Sequence, residues 1–192
     1  MEKKFELTDK FVFNTFGIKL FQIKCTKSFK YAKEGDLGGY VEKDENLDQE
    51  SDAWVYGDAR VFGNAQVSGD AQVFGNARVY GDARVYGDAQ VSGDARVSGD
   101  AWVYGDAQVF GDADIENDNN HCGFDCFGSC NRHTHAYLTK DNKVEITCGC
   151  FRGSIEEFEK KVEGTHSGTI YEKQYKAIIN VIKIKFGLTD LI

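Results

Sequence analysis

Residues 53–58 read Ala-Trp-Val-Tyr-Gly-Asp, and the same six-residue pattern, Ala-x-Val-x-Gly-Asp/Asn, continues without a break to residue 112. Ten copies follow one another, so alanines recur every six residues from Ala53 to Ala107 and valines recur from Val55 to Val109. A fixed short period indicates a solenoid in which each repeat adds one structural unit. This repeat therefore decides the fold of the central part of the chain.

The repeat has a simple mechanical interpretation. Because side chains alternate along a strand, the Ala and Val of each copy point to one side and the two variable residues point to the other. The variable positions hold Arg, Gln, Trp, Tyr, Phe and Ser, so the Ala and Val side must be the interior. The Gly-Asp or Gly-Asn pair supplies the unusual dihedral angles and local hydrogen bonds that a corner needs.

The period extends past the ten copies in both directions. Val41 and Leu47 already stand six apart, two extra residues separate Leu47 from Val55, and Ile115 continues the spacing at the far end. Thirteen rungs result, and with three rungs to a triangular turn they predict about four coils. Residues eighteen apart should then stack on one another.

The order aliphatic, x, Gly, Asp/Asn, small, x resembles the hexapeptide-repeat, left-handed parallel β-helix family, from about Val41 to Ile115. The resemblance implies the left-handed coil and a homo-oligomer, most often a trimer. Many members are acyltransferases that use acyl-CoA and a histidine base on the solenoid. All four histidines of this chain follow the repeats, so we expect binding and not catalysis. An acyltransferase with His133, His135 or His166 as its base at a subunit boundary is the alternative.

The flanking segments predict a mainly β protein with three parts. Residues 1–36 alternate apolar and polar side chains, which predicts a β-hairpin cap over the first coil. Residues 37–116 form the β-helix. Residues 117–192 predict a small α+β domain with one hairpin and two helices, the first opened by a capping box at Ser154 and Glu157.

The outward side chains suggest where a ligand or partner binds. Stacking at eighteen residues places Arg60, Arg78 and Arg96 in one column, flanked by Phe62 and Tyr80. This column suits an anion, such as the phosphate groups of a nucleotide, or a protein partner. A solvated face, on which arginine stems cover the aromatic rings, is the other interpretation.

A second outward face adds two candidate binding residues, Arg84 and Trp102. Aromatic side chains occur on all three faces, which is more than an exposed monomer usually carries. At least one face should therefore be buried, either in a homo-oligomer or under a flanking domain.

A cluster of cysteines and histidines follows the repeat. Zinc is the only cofactor that the sequence suggests, with candidate ligands Cys122, Cys126, Cys130, His133 and His135. The spacing C-x3-C-x3-C differs from the paired C-x2-C of common zinc motifs. Buried thiols and ordinary strand residues are the alternative interpretation, under which the protein has no cofactor.

The overall composition excludes some partners. The net charge of the 192 residues is −8 and the pI is about 5.0, so no general attraction to nucleic acid or to an anionic membrane is expected. No apolar run is long enough to span a bilayer, and no export signal is present, which favours the cytoplasm. The six cysteines are then expected to be thiols or metal ligands and not disulfides.

Two further stretches resemble uncharacterised hexapeptide-repeat proteins of phages and prophages. They are Gly35–Glu42 before the repeats and Gly149–Phe158, with Thr165-His166, after them. This resemblance implies a viral accessory protein that inhibits a host antiviral defence, either by binding a defence protein, as anti-CRISPR proteins do, or by sequestering a nucleotide signal. A structural spacer or virion component is the remaining alternative.

Overall fold

Each six-residue repeat forms a two-residue strand and a corner in the computed structural model, which describes residues 2–188. The first strand of the solenoid, Leu37–Val41 (β3), is longer than the others. The remaining strands are Trp54–Val55 (β4), Arg60–Val61 (β5), Gln66–Val67 (β6), Gln72–Val73 (β7), Arg78–Val79 (β8), Arg84–Val85 (β9), Gln90–Val91 (β10), Arg96–Val97 (β11), Trp102–Val103 (β12), Gln108–Val109 (β13) and Asp114–Ile115 (β14).

These strands form three parallel sheets, in the orders β3-β5-β8-β11-β14, β4-β7-β10-β13 and β6-β9-β12. Residues eighteen apart are paired, as Val55 is with Val73. In the first coil the interval is twenty, between Val41 and Val61 and between Leu47 and Val67, which confirms the two extra residues before Val55. The parallel β-solenoid of about four coils is thereby confirmed, while its left-handedness stays an implication of the family resemblance.

The interior consists of the alanines and valines of the repeat. Every one of them from Ala53 to Val109 is at most 2% exposed. Each buried valine contributes roughly 1.5–3 kcal/mol of transfer free energy, and alanine fits where the three walls leave little volume. The interior therefore holds the coils together whatever side chains stand on the outside.

The N-terminal segment forms a hairpin of Phe5–Phe13 (β1) and Lys19–Cys25 (β2). Strand β2 pairs with β3 in antiparallel orientation, so the hairpin extends the solenoid sheet that contains β5, β8 and β11. Phe5 and Phe29 pack edge-on against Trp54, an outward residue that is only 1% exposed. The hairpin and the loop after it therefore cover the first coil.

The C-terminal segment contains a four-stranded antiparallel sheet, and the single hairpin predicted from the sequence is its centre. The strands are His121–Phe127 (β15), Arg132–Leu138 (β16), Val144–Cys148 (β17) and Phe151–Ser154 (β18). The helices Ile155–His166 (α1) and Ile170–Lys185 (α2) pack on the sheet through Phe158, Ile178 and Ile182. The capping box of Ser154 and Glu157 is present at the start of α1.

This C-terminal sheet closes the last coil of the solenoid. Tyr137 is fully buried within the solenoid core cluster, and its hydroxyl donates to Glu145 Oε1 at 2.6 Å. Ala113 and Thr139 form an antiparallel bridge, and the Thr147 hydroxyl donates to the Gln108 carbonyl at 2.9 Å. Among residues 2–188, neither helix has the length and apolar character required to cross a bilayer.

The close stacking of the solenoid corners leads to one prediction, which compares a corner glycine with a glycine of the hairpin turn. Gly87 and Gly17 both have a left-handed φ, of 74° and 75°. A Cβ at Gly87 would lie 2.9 Å from the Gly105 nitrogen, whereas a Cβ at Gly17 would have no atom within 4 Å. We expect Gly17→Ala to lower the free energy of unfolding by about 1–2 kcal/mol, and Gly87→Ala to lower it by roughly twice that or more. Urea unfolding of both variants measures this, and equal losses would contradict the stacked-corner explanation.

Candidate functional site

Arg60, Arg78 and Arg96 form a column on one outer face of the solenoid. Their backbones are paired in parallel register, Arg60 with Arg78 and Arg78 with Arg96. Neighbouring strands lie about 4.8 Å apart, so the three side chains leave the sheet one above another. All three are half-buried. The stacking expected from the eighteen-residue interval is therefore present.

The column carries positive charge without a matching carboxylate. Across residues 2–188, no Asp or Glu oxygen lies within 4.0 Å of a nitrogen of these three guanidinium groups. Asp114 continues the column after Arg96, yet the two side chains form no ion pair. Like charges at this spacing repel one another, so an external anion bound between them would relieve an unfavourable interaction.

An aromatic column runs beside the arginines. The rings of Phe62 and Tyr80 are stacked with centroids 4.9 Å apart and planes within 2° of parallel. Phe62 is buried in a small cluster with Leu20 and Tyr40, so its position is fixed by the N-terminal hairpin as well as by the coil. The two columns together give a charged wall and an apolar wall of stacked rings.

The turn between β1 and β2 closes this space into a cleft. Asn14, Thr15 and Phe16 join the three arginines, Phe62 and Tyr80 around a cavity of about 190 Å³. Asn14 Oδ1 accepts from the Phe16 and Ile18 amides, both at 2.9 Å, which shapes the turn. Asn14 is 9% exposed, and its Nδ2 has no hydrogen-bond partner within the described residues 2–188. We call this space the arginine cleft.

The sequence identified five of the eight residues of the cleft and missed the turn. The alternation in residues 1–36 predicts the hairpin, but nothing in the local pattern places its turn over a column that begins with Arg60, more than forty residues later. The only signal was the prediction that the hairpin covers the first coil. Long-range contacts of this kind are set by tertiary packing.

Arg84 and Trp102 lie elsewhere, on the sheet of β6, β9 and β12. The guanidinium of Arg84 stands over the Trp102 ring, 4.9 Å from its centroid, and Tyr86 stacks on Tyr104 at 5.6 Å. Arg84 therefore has an intramolecular partner, a cation–π contact, which the three arginines of the cleft lack. The candidate binding residues therefore belong to two separate faces, as the eighteen-residue interval predicts.

A second cavity, of about 270 Å³, lies between Trp102 and three histidines of the C-terminal sheet. His121 Nδ1 and His135 Nε2 are 3.0 Å apart, and His121 Nε2 is 3.3 Å from Asp118 Oδ1. Because a carboxylate accepts hydrogen bonds, His121 donates from Nε2 to Asp118 and accepts from His135 at Nδ1. His133 similarly donates from Nδ1 to Asp125, at 2.5 Å.

Burial sets the protonation of this cluster. It lowers the pKa of His121, although Asp118 partly offsets the effect. Complete burial, reinforced by the neighbouring His121 and His133, lowers the pKa of His135 well below its usual value of 6.5. Both imidazoles are consequently neutral at pH 7, which is what a hydrogen bond between two of them requires.

The candidate zinc ligands are dispersed. Cys122 is half-buried, and burial raises its pKa to about 11, while Cys126 and Cys130 are exposed. His133 and His135 share one face of β16, with ring centroids 5.7 Å apart. Within the described part of the chain, no three Cys, His, Asp or Glu side chains are grouped so that they could hold a metal ion.

The solenoid is similar to a known repeat family. Residues 53–70, 71–87 and 89–105 match the model of the YdcK β-solenoid repeat, with about one coil in each match. No curated protein matches the chain. The fold and the repeat match together define a β-solenoid protein built from hexapeptide repeats. Phage origin remains an implication of the resemblance of the flanking segments.

The histidine cluster predicts a pH dependence. Because the folded state lowers the pKa of His121 and His135, the unfolded state binds more protons as the pH falls below about 6.5. The free energy of unfolding should have its full value above that pH. Below it, the free energy of unfolding should decline by up to about 1.4 kcal/mol per pH unit for each histidine that stays neutral in the fold. Urea unfolding between pH 7.5 and 5.0 measures the decline.

Two variants test whether the histidine cluster causes this decline of stability at low pH. His135→Gln should flatten the pH dependence, whereas His166→Gln, on a side chain that stacks on Tyr175 outside the cluster, should not change it. If His135→Gln keeps the full wild-type decline, the acid sensitivity arises elsewhere.

Proposed function

We propose that this β-solenoid protein is a binding protein that sequesters a phosphorylated small molecule in the arginine cleft and catalyses no reaction on it. The observation that carries the proposal is the column of Arg60, Arg78 and Arg96, which is half-buried around one cavity and has no carboxylate partner among residues 2–188. Arginine is the side chain best suited to phosphate, since its planar fork donates two parallel hydrogen bonds.

The setting of the column favours a ligand over a merely solvated face. On an exposed face, arginine side chains are free to extend into water, and a surface charge needs no partner. Here the Asn14–Phe16 turn encloses them, so the charges share a confined space with two aromatic rings. Electrostatic attraction is stronger in such a space than on an open surface.

The proposal includes the biological role expected from the flanking segments. A phage or prophage accessory protein that sequesters a phosphorylated signal would inhibit a host antiviral defence without an active site. The sequence also suggested a protein of the host defence system as the partner of this surface. The ligand titrations described below distinguish a phosphorylated small molecule from such a protein partner.

The acyltransferase alternative finds less support. His133 Nε2 and His135 Nδ1 are buried from solvent, and neither has a hydrogen-bond partner among residues 2–188. His166 stacks on Tyr175 between the two helices, with ring centroids 5.6 Å apart. A general base must reach the proton that it removes, and none of these histidines stands on the solenoid. Detectable binding of acetyl-CoA would revive this alternative.

Assembly is a separate part of the proposal. Trp102 and Tyr104 are 42% and 51% exposed on the face that also carries Arg84, and the resemblance to hexapeptide-repeat proteins implies a homotrimer. Light scattering coupled to size-exclusion chromatography gives the subunit number. A monomeric mass at micromolar concentration would remove the trimer from the proposal and leave the cleft unaffected.

The proposed function predicts the effect of one substitution. We expect Arg78→Ala to weaken the binding of inorganic triphosphate and of nucleoside triphosphates about tenfold to a hundredfold. A hydrogen bond to a charged group contributes about 1.5–3 kcal/mol, and 1.4 kcal/mol corresponds to a factor of ten. Isothermal titration calorimetry at low and at physiological salt measures the affinities, which should fall as salt rises.

Arg84→Ala is the matched control, because it removes the same charge from another face of the same solenoid. It should leave the affinities within a factor of about two. If wild type binds none of these compounds at millimolar concentration, or if both variants lose affinity equally, a phosphate site in the cleft is ruled out and the protein-partner alternative remains.

A further inference from the structure

We infer that the ligand of the arginine cleft is a nucleotide, whose ring is clamped between Phe16 and the Phe62–Tyr80 stack while its phosphate groups contact the arginines. This inference rests on the proposed function and deepens it, since arginines alone would equally accept inorganic phosphates. It assigns a binding role to Asn14 and Phe16, two residues of the β1–β2 turn.

The Phe62–Tyr80 stack is a preformed surface for a planar ring. Its two rings are parallel within 2° with centroids 4.9 Å apart, so they already form a stack to which one more planar ring can be added on the Phe62 side, next to Phe16. Each ring belongs to a residue that comes two after an arginine and directly follows its strand, so in extended backbone the two Cα atoms are about 6.6 Å apart. A single sugar ring bridges a gap of that size between a base and its first phosphate. The spacing of the two columns therefore fits a nucleotide better than a bare phosphate chain.

Phe16 forms the opposite side of the clamp. It is 70% exposed at the tip of the turn, and its ring centroid is 6.4 Å from that of Phe62, with the planes tilted by 50°. A ring inserted between two others needs about 7 Å between the outer pair, because stacked carbon atoms rest about 3.5 Å apart. A small outward movement of the turn, with rotation of the Phe16 ring, is enough to accept one.

Phe11, another exposed aromatic residue of the hairpin, has a cation–π partner, which Phe16 lacks among residues 2–188. Phe11 packs against Phe13, and the Lys19 ammonium stands 4.0 Å from the Phe11 centroid. In residues 2–188, Phe62 is the only aromatic ring near Phe16, and no cation stands over Phe16. Exposing this much apolar surface beside a cavity is unfavourable unless something covers it.

Asn14 supplies a polar group for the edge of the ring. Its Oδ1 is occupied by the two amides of the turn, while Nδ2 is a buried donor without a partner. An unsatisfied buried donor is uncommon and needs an explanation. A carbonyl oxygen or ring nitrogen of a base is the kind of acceptor that would satisfy it while the phosphate oxygens contact the arginines.

The test compares nucleotides with inorganic triphosphate, so that the ring and the phosphates are measured separately. Calorimetric titrations use ATP, GTP, CTP, UTP and inorganic triphosphate against wild type, Phe16→Ala and Phe13→Ala. We expect at least one nucleotide to bind wild type about tenfold or more tightly than inorganic triphosphate, as stacking on an aromatic side chain provides. Phe16→Ala should abolish that advantage and leave the affinity for inorganic triphosphate unchanged.

Phe13→Ala is the matched control, because Phe13 is 61% exposed on the same hairpin and does not line the cleft. It should leave both affinities unchanged. Asn14→Asp adds a second measurement: it keeps Oδ1 for the turn and replaces the free donor with an acceptor. The added negative charge weakens the binding of both the nucleotide and inorganic triphosphate. The readout is therefore the ratio of the nucleotide affinity to the triphosphate affinity, which should fall about tenfold.

The possible outcomes distinguish failure of the aromatic clamp from failure of the proposed function. Arginine-dependent binding of inorganic triphosphate with no nucleotide advantage would overturn the clamp and leave the proposed function standing. The clamp would also be overturned if Phe13→Ala lost as much nucleotide affinity as Phe16→Ala. The same holds if Phe16→Ala still bound a nucleotide more tightly than inorganic triphosphate. If no phosphorylated compound binds wild type, the proposed function itself fails, and the clamp fails with it.

Discussion

The backbone hydrogen bonds between neighbouring coils, which align residues eighteen apart, are the constraint on which the other features of this molecule depend. The Arg60 amide donates to the Ala77 carbonyl and the Arg78 amide donates to the Ala95 carbonyl, both at 2.9 Å, and similar bonds join the other coils. They prevent neighbouring coils from sliding past one another, because a slip of one residue would turn every valine outward. A residue type repeated at one position of the eighteen-residue turn consequently becomes a column. The arginine column is the direct product of this register.

The same hydrogen bonds leave unpaired backbone groups at both ends of the solenoid, and the two ends are closed in different ways. At the C-terminal end Tyr137 fills the interior of the last coil. At the N-terminal end β2 pairs with β3 and so extends one particular sheet, the one that carries the arginines. Had the hairpin extended another sheet, the Asn14–Phe16 turn would lie far from Arg60. The cleft is therefore a consequence of how the first coil is capped.

The sequence predicts the features of this molecule that are repeated and fails where contacts are single and distant. Ten copies of one pattern determine the interior, the corners and the columns, because each copy gives the same local information. Predicting the cleft would require the position of Phe16 relative to Phe62, and the repeat pattern carries no information on that position. The histidine cluster arises because β15 and β16 pair and bring His121 to His135. The dense cysteines between them suggested zinc, yet those strands carry Cys122 and His135 without gathering three ligands.

The contrast between Arg84 and the arginines of the cleft shows why the column needs an explanation. Arg84 lies over Trp102, so its charge is satisfied within the chain. At a spacing of about 4.8 Å, two like charges repel by about 1 kcal/mol in water and by several times that beside a protein wall. The alanine and valine interior is stable enough to hold an unfavourable outer arrangement in place, because inward and outward side chains alternate and contribute separately. An arrangement that costs stability and encloses a cavity is typical of a binding site, where the missing charge arrives with the ligand.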